Sequence, residues 1–138
     1  MRTRLAAAAA TLAFSAGTLA AAPAASAVVP DSQFDVYYGE TYTWGTIKWY
    51  NRSVVVEGTH KSVSPAGCRG TTVYTLDSQG RQLRVDWSRY AVCGGSARFT
   101  MTVPADVPGG AAFVRVCLDN GRTDPPVTAL ACKRYGRP

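Results

Sequence analysis

Hydrophobic and polar residues alternate with a period of two along much of the chain, most clearly between Ala97 and Leu118. One predicted strand has a face of four apolar side chains: Ala97, Phe99, Met101 and Val103. After a segment with two prolines and two glycines (104–110), Val114, Val116 and Leu118 repeat the alternation. This pattern is typical of antiparallel strands with one face in a core. We expect the stretch to link the two facing sheets of a sandwich.

Similar short alternating runs occur elsewhere in the chain, with turn sequences between them. The clearest turns are Ser64-Pro65-Ala66-Gly67, Ser78-Gln79-Gly80 and Asp119-Asn120-Gly121-Arg122. We count about seven strands and find no convincing helical periodicity beyond the N-terminal segment. The sequence therefore predicts an all-β fold, an immunoglobulin-like antiparallel β-sandwich.

The N-terminal segment has a different composition from the rest of the chain. It starts with Arg2 and Arg4, continues with a run rich in alanine and ends in Ala25-Ser26-Ala27. A basic start, an apolar middle and a small-x-small site are typical of a secretory signal peptide. We expect a signal peptide over 1–27 with cleavage near Ala27, a secreted product and no membrane association afterwards. The predicted product has a lead-in (28–40), a sandwich domain (41–135) and a short tail (136–138).

Four cysteines follow the predicted signal: Cys68, Cys93, Cys117 and Cys132. An even number in a short exported chain indicates two disulfides, for which three pairings are possible. We favour Cys68–Cys93 and Cys117–Cys132, because each bridge then closes a hairpin-sized segment. There is no Cys-x-x-Cys, and the single histidine does not complete a zinc site. We expect no metal and no cofactor.

The net charge of the chain is +6, of which Arg2 and Arg4 contribute two. The remaining basic residues are scattered, apart from a short cluster over 133–137 that we interpret as a solvated tail; the alternative is that this cluster contacts an acidic polymer. A scattered charge does not form the focused basic patch that nucleic acid requires. We expect no nucleic-acid partner.

Aromatic residues are concentrated between positions 34 and 50. They are Phe34, Tyr37, Tyr38, Tyr42, Trp44, Trp49 and Tyr50. Flat rings stack on sugar rings or fill protein interfaces, and four of these residues are our candidates for ligand binding: Tyr42, Trp44, Trp49 and Tyr50. In an unbroken strand, the side chains of Tyr42 and Trp44 lie on the face opposite to that of Trp49. A β-bulge at Gly45 would bring all three side chains onto one face. The alternative is that these rings pack against neighbouring strands and in the core, and bind no ligand.

The sequence contains little evidence for a catalytic site. His60 is the only histidine, and no Gly-x-Ser-x-Gly nucleophile elbow accompanies it. We therefore expect a secreted, non-enzymatic binding domain, with a glycan or cell-surface ligand and a protein ligand equally open. The alternative is an inhibitor of an extracellular hydrolase, presenting a rigid loop around Tyr90 to Gly95. A small hydrolase would require His60 or two carboxylates to converge in a cleft.

Four short motifs resemble those of a group of small secreted actinobacterial proteins. The motifs are Trp49-Tyr50-Asn51-Arg52-Ser53-Val54, Gly67-Cys68, Ala91-Val92-Cys93 and Val107-Pro108-Gly109-Gly110. These motifs are structural, since they mark strand starts, a disulfide and a corner. The resemblance implies export and a sandwich fold, and it implies no catalytic residue.

Overall fold

The computed structural model describes residues 28–63 and 67–138, and the predicted signal peptide lies outside this part of the chain. Eight strands are present: β1 (Ser32–Tyr38), β2 (Thr41–Trp49), β3 (Ser53–Ser62), β4 (Gly70–Leu76), β5 (Gln82–Trp87), β6 (Gly95–Pro104), β7 (Phe113–Asp119) and β8 (Ala129–Gly136). They form two four-stranded antiparallel sheets, with orders β1-β2-β3-β6 and β5-β4-β7-β8. In these residues no helix is long and apolar enough to cross a membrane.

The predicted β-sandwich is confirmed, with one strand more than expected. β1 lies within the segment 28–40, which we expected to be a lead-in, so the sandwich begins before residue 41. Phe34 and Val36 on this strand are buried, while Asp35 and Tyr37 are exposed. Pairing with β2 along all seven residues of β1 places these two side chains in the core.

The corner between β6 and β7 connects the two sheets, as the sequence predicts. Gly109 and Gly110 have φ angles of +83° and +75°, a region that favours glycine. A Cβ at Gly110 would also collide with the backbone oxygen of Tyr50. The corner is fixed to the β2–β3 turn by a hydrogen bond from the Ala105 N–H to the Arg52 carbonyl (2.7 Å).

The core fills the space between the inner faces of the two sheets. Its central buried residues are Phe34, Val36, Ile47, Trp49, Val54, Val56, Val73, Met101, Val103, Val114, Val116 and Leu118. Val54, Val56 and Val103 come from the first sheet, and Val114, Val116 and Leu118 come from β7 in the second. Both sheets therefore contribute alternate residues to the core, as in a β-sandwich.

Gly45 does not form the bulge that would bring Trp44 and Trp49 onto one face of the strand. β2 pairs with β1 and β3 without a shift, and Gly45 lies opposite Gly58 in a row that runs Phe34, Gly45, Gly58, Phe99. A Cβ at Gly45 would collide with the Glu57 carbonyl oxygen, so the close approach of the strands requires glycine. The rings of Phe34 and Phe99 cover the two glycines from either side, with centroids 6.4 Å apart.

Both predicted disulfides are confirmed. Cys68 pairs with Cys93 and Cys117 pairs with Cys132. Cys117 and Cys132 are directly opposite each other on β7 and β8, and Cys117 alternates with the core residue Val116. This bridge therefore lies on the outer face of the second sheet.

Candidate functional site

The outer face of the β1-β2-β3-β6 sheet carries the exposed aromatic residues of β2. Side chains of a strand alternate between the two faces, and the inward series on β2 is Thr41, Thr43, Gly45, Ile47 and Trp49. Tyr42 and Trp44 consequently point away from the core. Trp44 is 50% exposed, although it lies on an interior strand of the sheet.

Tyr37 on β1 extends this aromatic surface. It lies opposite Tyr42, and the two ring centroids are 5.9 Å apart. The Lys61 ammonium lies over the Tyr42 ring, 5.7 Å from its centroid. Tyr37, Tyr42 and Trp44 thus form one strip across β1 and β2, which we call the aromatic strip.

A shallow trough of about 430 Å³ lies beside Trp44 and crosses β2, β3 and β6. Small side chains make its floor: Thr46, Thr59 and Thr100. Trp44 and Arg98 lie at its two sides, since both are in the row Asp35, Trp44, Thr59, Arg98. At a strand spacing of about 4.8 Å, these two residues are roughly 10 Å apart at the backbone.

The charged groups of this face differ in whether they are already paired. Glu57 forms an ion pair with Lys48 (2.7 Å), and this hydrogen bond raises the pKa of Lys48. Asp35 forms an ion pair with Lys133 of the second sheet (3.0 Å). Among the residues described, Arg98 belongs to no ion pair, so its guanidinium is available to a ligand in the trough.

The four predicted ligand-binding residues do not lie together. Tyr42 and Trp44 are on the aromatic strip, but Trp49 is 5% exposed and belongs to the core. The Trp49 indole N–H donates to the Ser32 hydroxyl (2.9 Å). Tyr50 is exposed, but it follows the opposite end of β2, where its carbonyl accepts a hydrogen bond from Arg137.

Two site residues, Tyr37 and Arg98, are not identified by the pattern of the sequence. Tyr37 belongs to the aromatic segment, but the side chain's direction depends on β1 being a strand, which the sequence does not predict. Arg98 alternates with Ala97 and Phe99, so the predicted strand places it on the polar face, where it is exposed. Its proximity to Trp44 depends on the order of strands in the sheet, which alternation alone does not reveal.

His60 is a core residue. Its side chain is fully buried, its ring stacks on Phe99 (centroids 5.3 Å apart), and Nδ1 lies 3.2 Å from the Thr71 hydroxyl. The Thr71 hydroxyl also lies 2.7 Å from that of Thr43. Burial lowers the pKa of His60 from its ordinary 6.5, which favours the neutral ring. A solvated substrate has no access to this imidazole, so it does not supply the histidine of a hydrolase.

A second exposed feature is the loop 88–94 between β5 and β6. Tyr90 on this loop is 80% exposed. Paired backbone hydrogen bonds join Arg69 and Val92 (2.8 and 2.9 Å), and the Ser88 N–H donates to the Thr71 carbonyl (2.8 Å). The Cys68–Cys93 disulfide closes the far end. The loop therefore presents an aromatic side chain on a backbone that is tied at both ends.

We compared the chain with known proteins in three ways. No protein-family model matches it, and neither the curated proteins nor the solved structures contain a significant match. Function is therefore inferred from the arrangement of the described side chains.

Proposed function

We propose that this protein is a secreted, non-enzymatic binding domain whose ligand is a glycan, held on the aromatic strip and in the trough beside Trp44. The observation that carries the proposal is the half-exposed Trp44 on an interior strand. A strand side chain in this position has neighbours on both sides, and an indole left open there is suited to stacking on a flat ligand.

The groups around Trp44 match the chemistry of a sugar. A pyranose ring presents C–H groups on its faces and hydroxyl groups at its rim. The indole offers an apolar surface to the face, while Thr59, Thr100 and Arg98 offer hydrogen-bonding groups to the rim. The trough is open and shallow, which is suited to one segment of a longer polysaccharide lying along the sheet.

Export is part of the same proposal. Two disulfides are typical of proteins that work in oxidising surroundings outside the cytosol. The sequence of residues 1–27 is that of a signal peptide, and N-terminal sequencing of the protein from culture fluid is expected to start at Val28. An N-terminus upstream of Ala22 would contradict this cleavage site.

We also propose that the fold is immunoglobulin-like. Its support is the strand order once β1 is set aside. The orders β2-β3-β6 and β5-β4-β7-β8 correspond to strands A-B-E and C′-C-F-G of that architecture. In this scheme β1 is an addition that pairs with the edge of the first sheet.

The test of glycan binding is co-sedimentation with insoluble polysaccharides and with purified cell wall. We expect the wild type to sediment and Trp44→Ala to stay in solution. Tyr50→Ala is the matched control, because it removes another exposed aromatic ring beyond the opposite end of β2. If Trp44→Ala sediments as well as the wild type while remaining folded, glycan binding by this face is wrong.

The second candidate function is inhibition of an extracellular hydrolase through the loop 88–94. It is favoured by the exposure of Tyr90 on a segment tied by the Cys68–Cys93 disulfide. A rigid loop loses little conformational entropy on binding, which is what a tight inhibitor requires. Inhibition of a secreted hydrolase that is lost in Tyr90→Ala but kept in Trp44→Ala would support this function in place of glycan binding.

A further inference from the structure

Two arginines face each other on the outer surface of the second sheet. Arg115 on β7 and Arg134 on β8 are direct cross-strand partners. They lie in the row Val85, Tyr74, Arg115, Arg134, on the face opposite to the core residue Val114. Like charges directly opposite each other on neighbouring strands are ordinarily destabilising.

Each guanidinium is held against an aromatic ring of the same sheet. The Cζ atom of Arg115 lies 4.1 Å from the centroid of Tyr74, and that of Arg134 lies 4.8 Å from the centroid of Phe113. Such stacking uses the flat face of the guanidinium and leaves its N–H edge available for hydrogen bonds. The rings therefore hold both side chains in place without neutralising them.

Neither arginine has a carboxylate partner in the described part of the chain. The three ion pairs there involve other basic residues: Lys48, Arg81 and Lys133. The carboxylate of Asp119, four residues along β7 from Arg115, accepts instead from the Thr72 hydroxyl (2.7 Å) and the Gly121 N–H (2.8 Å). Two positive charges thus remain uncompensated on this face.

The two ends of the Arg115 guanidinium differ in their access to solvent. The Nε atom is buried, and among the described residues it has no hydrogen-bond partner. Because this nitrogen is closed to solvent, a ligand on this face contacts the terminal guanidinium nitrogens of Arg115 and not its Nε–H group.

We propose that Arg115 and Arg134 form a second binding site, which takes the carboxylate groups of an acidic polysaccharide. Guanidinium groups bind carboxylates through paired, charge-assisted hydrogen bonds. The same row has exposed apolar surface at Val85, which favours an extended polymer over a compact metabolite. The site is on the opposite side of the sandwich from Trp44 and does not depend on glycan binding there.

Polygalacturonate is the probe for this site, and its fully methyl-esterified form is the uncharged control. Because a polysaccharide can also stack on Trp44, the assay uses the Trp44→Ala protein, which we expect to bind polygalacturonate in biolayer interferometry and not to bind the ester. Arg115→Gln with Arg134→Gln is expected to weaken binding by about tenfold or more, from the loss of charge-assisted hydrogen bonds. The matched control is Arg52→Gln with Arg122→Gln, which removes the same charge from exposed turns and is expected to keep most of the affinity.

Three outcomes would overturn the proposal. Equal loss in the two double variants would mean that net charge alone attracts the polymer. Binding of the methyl ester would remove the role of the carboxylates, and binding of inorganic polyphosphate in preference to polygalacturonate would assign the site to phosphate groups. Since every variant in this test carries Trp44→Ala, failure of the arginine site and failure of the trough are separately visible.

Discussion

The hydroxyl of Tyr135 on β8 bonds to both backbone groups of Asp35 on β1. It accepts a hydrogen bond from the Asp35 N–H (3.0 Å) and donates one to the Asp35 carbonyl (2.9 Å). β1 is an edge strand, and unpaired edge groups are a template for association with other chains. One side chain of the second sheet therefore occupies part of the free edge of the first.

Removal of the Tyr135 hydroxyl is expected to weaken the attachment of β1 at the edge of the first sheet. Tyr135→Phe keeps the ring packed against Phe34 but removes both hydrogen bonds. We expect the free energy of unfolding to fall by about 1 kcal/mol, and the Asp35 amide to exchange faster with deuterium. Tyr38→Phe, at an exposed ring on the same strand, is the control and is expected to change neither quantity. Unchanged exchange at Asp35 in Tyr135→Phe would contradict the role of the hydroxyl.

Substitution of a glycine in the Gly45–Gly58 pair, in the middle of the first sheet, is expected to cost more stability. Gly45→Ala places a methyl group against the Glu57 carbonyl, and the strands must separate to accept it. We expect a loss of about 3 kcal/mol in denaturant unfolding, as for an overpacked interior. In Gly136→Ala the new methyl group meets the Phe113 ring at an ordinary 3.7 Å, and we expect a change within 1 kcal/mol or so. Similar losses in the two variants would show that close strand approach is not the cause.

The buried His60 predicts a dependence of stability on pH. Its folded pKa is lowered by burial, so the unfolded chain binds more protons as pH falls through its ordinary value of 6.5. The stability that the neutral ring contributes is therefore complete above pH 6.5 and is lost as pH falls toward the folded pKa. We expect the unfolding free energy of the wild type to decrease between pH 8 and pH 5.5, and this decrease to be smaller in His60→Gln. Because His60 is the only histidine, an equal decrease in both proteins would assign it to other groups.

The two disulfides are expected to restrain different parts of the protein. Loop-closure entropy predicts a loss of about 3 kcal/mol when either is removed, since their sequence separations are 25 and 15 residues. Cys68→Ser with Cys93→Ser is also expected to expose the loop around Tyr90 to limited proteolysis. Cys117→Ser with Cys132→Ser leaves that loop tied and should show no new cleavage there. Cleavage near Tyr90 in both variants, or in neither, would mean that the first bridge does not control the loop.

Much of the fold was predictable because its signals are local. The alternation over 97–118 and the prolines and glycines of the corner depend only on residues close in sequence, and both were interpreted correctly. The disulfide pairing followed from short separations along the chain. β1 was missed although Phe34 and Val36 alternate with polar neighbours, because what makes this segment a strand is its pairing with β2 and its contact with Tyr135.

The candidate site was only half predictable. The sequence by itself determined that Tyr42 and Trp44 share one face of a strand and that Trp49 lies on the other, because side chains alternate along extended backbone. Which of those faces is buried, and that Gly45 keeps them apart instead of forming a bulge, was decided by the neighbouring strand and by the rings of Phe34 and Phe99. The pairing of Arg115 with Arg134 and the approach of Arg98 to Trp44 likewise exist only in the folded sheets. Alternation is a property of a single strand, whereas strand order and sheet packing depend on contacts between residues far apart in the chain.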